Sequence, residues 1–188
     1  MSAGTEADAA PIAMRRFERV DVPAVQRFIG TLPVHDLLFL GRDIRQPKVV
    51  EAWHQAIEAG WIESVLAIAG EEVVASTAAI RDPLSWSPHV CELRLLVSPS
   101  VRNRGIGRLM LERAVDAAIA GGATKLMARM TPDQAGAITL FEESGFRGEA
   151  LLRDHVRDEN GVLFDLAILS LDPARDAARR AAYGDLID

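Results

Sequence analysis

The fold of this chain is decided by the stretch Val97-Ser98-Pro99-Ser100-Val101-Arg102-Asn103-Arg104-Gly105-Ile106-Gly107-Arg108. A strand-like run, Val90 to Val97, stops before Pro99, and a helical pattern continues from about Ile106 to Ala120. The first four amides of a helix have no partner inside the helix, and the helix dipole adds partial positive charge at the same point. A loop that turns several N–H groups toward this point therefore favours binding of a phosphate or pyrophosphate.

The two glycines of this loop are predicted to have separate roles. Gly105 can adopt positive φ, and Gly107 would let the backbone approach a ligand without an intervening Cβ. The chain has no Gly-x-x-x-x-Gly-Lys-Ser/Thr sequence, which excludes a nucleoside triphosphatase loop. A dinucleotide fingerprint would need three glycines, normally with an acidic residue at the end of the next strand, and neither is present.

A second strand–helix unit follows the first. Lys125 to Met130 is predicted to be a strand and Asp133 to Glu143 a helix, which ends at Ser144-Gly145-Phe146. The sequence Val-x-Pro-x-x-Arg-x-x-Gly-Ile-Gly resembles the acyl-CoA-binding motif of the GNAT acetyltransferases, and Gly-Phe resembles the signature that ends the equivalent helix of that family. The resemblance extends from about Ile12 to Leu171, and its specific part is Val90 to Phe146.

The rest of the chain fits the architecture that this resemblance implies. The predicted elements are a strand at Ile12–Phe17, a helix capped by Asp21, a short helix or loop at 31–41, a helix from Pro47 to about Gly60, hairpins at 62–80 and 149–171, and a final helix after Pro173. The implied fold class is α/β: a mixed, mostly antiparallel central sheet with flanking helices, and the acyl-CoA loop at the start of the helix after the fourth strand. Residues 1–11 are predicted to be a disordered tail, residues 12–172 the acetyltransferase domain and residues 173–188 a helical extension.

Composition limits the classes of protein that remain. The 188 residues and 49% hydrophobic content indicate a single globular domain, and the net charge of −6 argues against a nucleic-acid partner. No apolar run approaches the ~20 residues of a membrane span, and residues 1–11 lack the pattern of a signal peptide, so we expect a cytoplasmic protein without a membrane partner. The single Cys91 excludes an internal disulfide framework, and no metal site is predicted because the histidines and the cysteine lack ligand spacing.

The resemblance implies an acetyl-CoA-dependent N-acetyltransferase that transfers the acetyl group directly to a primary amine of a small molecule or a protein. Amides from Asn103 to Arg108 would hold the pyrophosphate, and the edge of the strand at Leu95 to Val97 would pair with the pantetheine arm. Alignment on the Gly-Phe signature places Gln134 and Phe141 where the family commonly has an asparagine and a tyrosine acid. The predicted cofactor-binding residues are Leu95, Leu96, Val97, Arg102, Asn103, Arg104, Gly105, Ile106, Gly107, Arg108, Gln134 and Phe141.

Glu92 is the predicted general base. Alternation along the strand places Glu92 and Arg94 on one face, and a charged side chain in a central strand is costly without a role or a partner. Some relatives carry a catalytic glutamate on this strand, acting through a water, whereas Arg129 stands where others carry it on the next strand. The alternative is that Glu92 forms an ion pair with Arg94 or with a neighbouring strand.

No general acid is predicted. Phe141 cannot donate a proton, and the chain's single tyrosine, Tyr183, lies in the C-terminal segment. A thiol of pKa ~8.5 can leave as a thiolate at pH 7 for only ~2 kcal/mol, so an acid is not essential. The missing tyrosine also keeps open an alternative function, a catalytically weak module of the same fold that senses acyl-CoA.

The acceptor side is not assigned from the sequence. Residues 31–61 correspond to the variable region that walls the acceptor site in the family, and they include His35, Asp36, Trp53, His54 and Trp61. None of these residues receives a role, and His155 is only a weak candidate for the rim of the pocket. The acceptor amine, the preferred acyl chain and the oligomeric state stay open, a homodimer being one option.

Overall fold

The computed structural model describes residues 11–183, except for the side chains of Arg180 and Tyr183. Most of the predicted N-terminal tail and the last five residues of the predicted extension therefore lie outside the described residues, as does the Tyr183 side chain. The strands are β1 (Ile12–Arg16), β2 (Ile62–Ala69), β3 (Glu72–Ile80), β4 (Val90–Val97), β5 (Lys125–Met130), β6 (Arg147–Arg157) and β7 (Leu163–Leu171). The α-helices are α1 (Val22–Gly30), α2 (Pro47–Glu58), α3 (Ile106–Ala120), α4 (Ala135–Glu143) and α5 (Pro173–Tyr183).

The strands form one sheet in the order β1-β2-β3-β4-β5-β7-β6. Within residues 11–183 the β4–β5 pair is parallel and the other neighbouring pairs are antiparallel. The mixed, mostly antiparallel sheet with flanking helices, expected from the sequence, is thus confirmed, and α3 follows the fourth strand as predicted.

The parallel pair β4–β5 is short. It consists of Val90 with Lys125, Cys91 with Leu126 and Glu92 with Met127. Beyond Glu92, β4 stays paired with β3 as far as Val97, while β5 stays paired with β7 as far as Met130. The two strands therefore diverge and leave an opening between residues 93–97 and residues 128–130, which we call the cleft.

Each face of the sheet is covered by a different set of helices. On one face α1, α2 and a 3-10 helix, Val34–Leu40, pack on a cluster that includes Leu66, Leu96 and Leu166. On the other face α3 and α4 pack on a cluster that includes Leu93, Leu126 and Leu169. The alternation of side chains along β4 produces this division, because Leu93 and Leu96 point to opposite faces.

Local differences from the sequence predictions have identifiable causes. Asp21 precedes α1 but its side chain does not cap the helix, because the carboxylate is bound by Arg15 and by the Glu18 amide at 2.9 Å. The segment at 31–41 contains the 3-10 helix Val34–Leu40. The helix α4 begins at Ala135, two residues later than predicted, because Asp133 lies in the turn that enters it.

Among the described residues, no helix combines the length and the apolar composition needed to cross a membrane.

Candidate functional site

The loop before α3 exposes a group of unpaired amides. Within the part of the chain that the structure describes, the six backbone N–H groups from Asn103 to Arg108 donate to no protein acceptor. Asn103 and Gly105 have positive φ, 58° and 77°, which turns the chain so that it enters α3 directly. Residues 102–105 are exposed, so this loop is accessible from solvent. An anion is the ligand that such an arrangement favours.

Gly107 is packed differently from what the sequence suggested. A Cβ at this position would lie 3.2 Å from Leu140 Cδ2, 3.8 Å from Val97 Cγ2 and 3.9 Å from Leu95 Cδ2. The missing side chain therefore lets α3 approach α4 and β4 closely. The absence of a Cβ at Gly107 thus serves the packing of α3, and its amide is one of the six free N–H groups. Its predicted role in the approach of a ligand stays a prediction.

Three arginines of the loop region have different environments. The Arg102 guanidinium donates to the Val97 carbonyl from Nε at 3.2 Å and from Nη2 at 3.1 Å, and it also pairs with Asp36. The Arg108 side chain forms an ion pair with Glu143 of α4. Among the described residues Arg104 has no such partner. Arg104 is therefore the loop arginine whose charge is most available to an anion, whereas the Arg102 side chain is turned toward the cleft.

The cleft-facing edge of β4 carries main-chain groups from alternate residues. The Ser98 amide donates to Val74 on the β3 side at 2.8 Å, so by alternation the main chain of Leu96 also faces β3. The N–H and C=O groups of Leu95 and Val97 then point to the opposite side, toward the cleft. The predicted edge, Leu95 to Val97, thus provides two residues with cleft-facing groups, and Leu96 instead holds the strand register and packs in the core.

Glu92 lies where β4 and β5 begin to diverge and is held by two arginines. Arg94 Nε donates to Glu92 Oε1 at 2.7 Å, and Arg129 Nη2 donates to Oε2. The Glu92 side chain is 18% exposed. The ion pair with Arg94, which the sequence offered as the alternative to a catalytic role, is present. Each carboxylate oxygen thus accepts one charge-assisted hydrogen bond from an arginine.

A second cluster, which the sequence did not identify, lies just beyond the end of β5. His35 Nε2 lies 2.7 Å from Asp133 Oδ2 and 3.3 Å from Thr131 Oγ1, and the His35 ring packs edge-on against Phe164 at 5.0 Å. Burial alone would raise the pKa of Asp133, but the Thr131 hydroxyl and His35 outweigh it and the pKa lies below its usual value. No described residue bonds Nδ1 of His35, whose side chain is 33% exposed.

His35 and Asp36 connect the two sides of the cleft. His35 contacts Thr131 and Asp133 at the end of β5, whereas Asp36 binds Arg102, which in turn binds the Val97 carbonyl at the end of β4. The 3-10 helix Val34–Leu40 therefore lies at the mouth of the cleft. Both parts of this site contain polar residues that are visible in the sequence, at 35–36 and within 131–134. No local pattern shows that these two segments lie next to each other.

Gln134 and Phe141, the two residues that the family alignment singled out near the second helix, both contact neighbouring parts of the chain. Gln134 precedes α4, and its Oε1 accepts a hydrogen bond from the Thr131 amide at 3.1 Å, which leaves the carboxamide NH2 group available. Phe141 is 4% exposed and packs edge-on against Phe146 at 5.0 Å. Its side chain is part of the core, and its contact with the cofactor stays a prediction.

His155 and Cys91 belong to neither of these two clusters. His155 is exposed on β6, an edge strand of the sheet. Cys91 is buried in the paired part of β4, and this burial raises the pKa of its thiol to about 11. Cys91 is therefore not a nucleophile at neutral pH.

Comparison with known proteins relates this geometry to one family. The model of the acetyltransferase (GNAT) family matches residues 35–146, which include the 3-10 helix, the loop, the cleft and α4. No curated protein sequence matches the chain.

Solved structures with the same fold include several acetyltransferases. Ribosomal-protein-alanine N-acetyltransferase from Brucella melitensis superposes with a TM-score of 0.75 and 21% identity, over 85% of this chain and 99% of that one. A putative acetyltransferase, yncA, from Salmonella typhimurium, solved with its cofactor acetyl-CoA, gives 0.74 and 19%, over 87% and 94%. Spermidine N-acetyltransferase from Vibrio cholerae, solved with CoA and spermine, gives 0.72 and 15%, over 88% and 98%.

Proposed function

Because the chain belongs to the GNAT acetyltransferase family, which uses acetyl-CoA, we propose that it transfers an acetyl group from acetyl-CoA directly to a primary amine. The observation that carries this proposal is the set of six free amides at the start of α3, beside a cleft that the main chain of Leu95 and Val97 faces. A pyrophosphate and an amide-bearing arm are the two parts of acetyl-CoA that such groups would bind.

The residues of the chain fit this co-substrate. The amides of Asn103 to Arg108 would hold the pyrophosphate, with the unpaired charge of Arg104 close to it. Leu95 and Val97 would present N–H and C=O groups to the pantetheine amides. One N–H of this edge would also stabilise the oxyanion that develops on the thioester carbonyl during attack.

Transfer needs a neutral amine. The nitrogen lone pair forms a bond to the thioester carbon, the carbon–sulfur bond breaks, and the sulfur leaves as a thiolate with the electron pair. The acylated nitrogen then gives its extra proton to the thiolate or to solvent. An alkylamine of pKa ~10 is an ammonium at pH 7 and must first give a proton to a base. The expelled thiolate needs no acid from the protein, in agreement with a phenylalanine at position 141.

We assign the base to His35, with Asp133 as its positioning residue. In the neutral imidazole Nε2 donates to the Asp133 carboxylate, which leaves the lone pair on Nδ1. Within the described residues nothing occupies Nδ1, and the ring lies at the mouth of the cleft. Glu92, acting through a water, is the second candidate, and its location at the point where the strands diverge is what favours it.

A thiol-release assay with acetyl-CoA and a panel of primary amines tests the proposed activity. We expect amine-dependent release of CoA. Tight acetyl-CoA binding without release for any amine would instead support the sensor of acyl-CoA.

Charge reversal in the loop tests the binding site of the co-substrate. We expect Arg104→Glu to weaken acetyl-CoA binding about tenfold or more, because a charge-assisted contact contributes roughly 1.5–3 kcal/mol. Arg113→Glu is the matched control, since it makes the same charge change on the exposed side of α3, the helix that follows the loop. Equal affinities of the two variants, measured by calorimetry, would contradict the assignment of the loop.

A further inference from the structure

A cavity of about 410 Å³ lies between α2 and the sheet. Its floor is formed by β2, β3 and β4, and its walls are mainly apolar, with Leu40, Ile44, Val49, Trp53, Trp61 and Leu96 among the lining residues. Pockets that bind small molecules have this size and this predominantly apolar character.

The cavity lies directly beside the cleft. Arg94 and Leu96 of β4 line the cavity, whereas the main chain of Leu95 and Val97, on the same strand, faces the cleft. Leu40, at the end of the 3-10 helix that carries His35, also lines the cavity. The cavity and the cleft therefore share β4, and the 3-10 helix that carries His35 reaches the wall of the cavity.

The charge of the cavity is positive. Its charged lining residues are Arg42 and Arg94, and none of the residues that line it is acidic. Arg42 has no ion pair or hydrogen bond with any described residue, and Arg94 uses only Nε, to bind Glu92. Glu92 is shared with Arg129, so this group of three side chains keeps a net positive charge. In a chain of net charge −6, such a pocket selects against a polycation.

The cavity also has an unused hydrogen-bond donor. Trp53 lines the cavity, and its Nε1 is buried without a hydrogen-bond partner among the described residues. Buried donors in proteins are almost always satisfied. The available polar groups of Arg42, Arg94 and Trp53 are thus all donors, and a ligand that satisfies them must provide acceptors.

We infer that this cavity is the acceptor site and that the acceptor is an apolar α-amino acid. Its side chain occupies the apolar part of the cavity, its carboxylate pairs with Arg42 and Arg94, and its amine reaches the cleft. This inference rests on the proposed acetyl transfer and specifies its substrate class. Spermidine occurs in the name of one structural neighbour. It has no carboxylate, and its positive charges would be repelled by the positive cavity.

The test compares L-phenylalanine with L-phenylalaninamide, phenethylamine and spermidine in the thiol-release assay. The amide and the amine keep the aromatic ring and lose the carboxylate. Because a hydrogen-bonded charge pair contributes about 1.5–3 kcal/mol, we expect kcat/KM for L-phenylalanine to exceed that for each of the other three by about tenfold or more. Higher or equal kcat/KM for spermidine or phenethylamine would overturn the inference.

Variants of the cavity arginines locate the carboxylate. We expect Arg42→Gln to raise KM for L-phenylalanine about tenfold and to leave KM for phenethylamine unchanged. Lys48→Gln, which removes a positive charge from α2 outside the lining, is the matched control. An unchanged KM for L-phenylalanine in Arg42→Gln and also in a folded Arg94→Gln variant would overturn the inference.

A binding measurement separates this inference from the proposed activity. We expect L-phenylalanine to raise the melting temperature of the CoA-saturated protein, as a ligand of the folded state does, and phenethylamine not to. If no amine is acetylated, the proposed activity fails, while stabilisation by L-phenylalanine that Arg42→Gln abolishes still supports the site. If neither L-phenylalanine nor L-leucine stabilises the protein, the inference fails even if other amines are acetylated.

Discussion

Two charged clusters lie along β5, and they differ in how much of their hydrogen-bonding capacity is already used. Glu92 is opposite Met127, where the strands are still paired, and both of its oxygens are bound by arginines. His35 lies at the other end of β5 and uses one ring nitrogen, while the other has no partner among the described residues. Because Nδ1 of His35 is bound by no described residue whereas both Glu92 oxygens are held in ion pairs, we propose the second cluster for proton transfer.

The comparison also separates two uses of a carboxylate. Glu92 forms ion pairs with two partly buried arginines on the face of the sheet that carries the cavity. Asp133 lies 2.7 Å from Nε2 of His35, where we propose that it orients the imidazole. Glu92, which is held by two arginines, contributes to the structure. Asp133, which holds a histidine at the open cleft, can contribute to proton transfer.

The largest expected effect is on His35. We expect His35→Gln to lower kcat/KM about 10²–10⁴-fold for an alkylamine that is protonated at the assay pH. An amine whose pKa lies below the assay pH needs no deprotonation, so its kcat/KM should fall much less. The assay is thiol release with both kinds of amine, and His155→Gln, an exposed histidine on β6, is the control. Equal losses for the two kinds of amine would assign His35 a structural role.

The next effect concerns Cys91, which lies in the paired part of β4. Burial raises the pKa of this thiol to about 11, well above the ~8.5 of a free thiol, so it should react with a thiol reagent more than about 100-fold more slowly than in the unfolded chain. Labelling rates with and without urea measure this ratio. Turnover by Cys91→Ala should continue, because direct transfer uses no protein thiol. Rapid native labelling together with an inactive alanine variant would indicate an acetyl-cysteine intermediate.

A smaller effect is expected for Asp133. Its pKa lies below the usual value in the folded protein, so its stabilising contribution is present above the unfolded pKa of ~3.9 and is lost as the pH falls through the folded value. We expect Asp133→Asn to lower kcat/KM about tenfold, by weakening the control of the imidazole tautomer, and to reduce the loss of stability in acid. Urea unfolding at pH 7 and pH 3 measures the second effect. An unchanged rate would exclude the positioning role.

Glu92 is expected to have the smallest effect on turnover. Glu92→Gln leaves Arg94 and Arg129 without a charged partner, so we expect it to destabilise the fold by roughly 1–3 kcal/mol. Turnover should fall far less than the ~10²-fold expected for loss of a general base. Denaturant unfolding and thiol release are the two measurements. A loss of 10²-fold or more with unchanged stability would reverse the comparison and restore Glu92 as the base.

The sequence predicted those features that depend on neighbouring residues. The helix from Ile106 to Ala120 has the predicted bounds, because its start is marked by a glycine and its core side by apolar periodicity. Alternation along β4 correctly placed Glu92 beside Arg94. Periodicity and turn signals supplied the order of the remaining elements, which resembles that of the family.

The features that the sequence did not predict depend on contacts between distant segments. His35 and Thr131 are 96 residues apart, and Asp36 and Arg102 are 66 residues apart. Which side of Gly107 faces the helix α4 likewise depends on the position of Leu140. Local patterns determine the element to which a residue belongs, but they carry no information about which loop will cover the end of a strand.

The adjacent residues His35 and Asp36 imply thermodynamic coupling between the two ligands. Any ligand group that takes the Val97 carbonyl must displace Arg102, and Arg102 also holds Asp36. If the acyl donor binds this carbonyl as proposed, its entry would change the restraint on the segment that leads to the proposed acceptor cavity. By linkage, the factor by which the donor changes the affinity for the acceptor equals the factor by which the acceptor changes the affinity for the donor. A single ion pair at the mouth of the cleft thereby relates the occupancy of one site to that of the other.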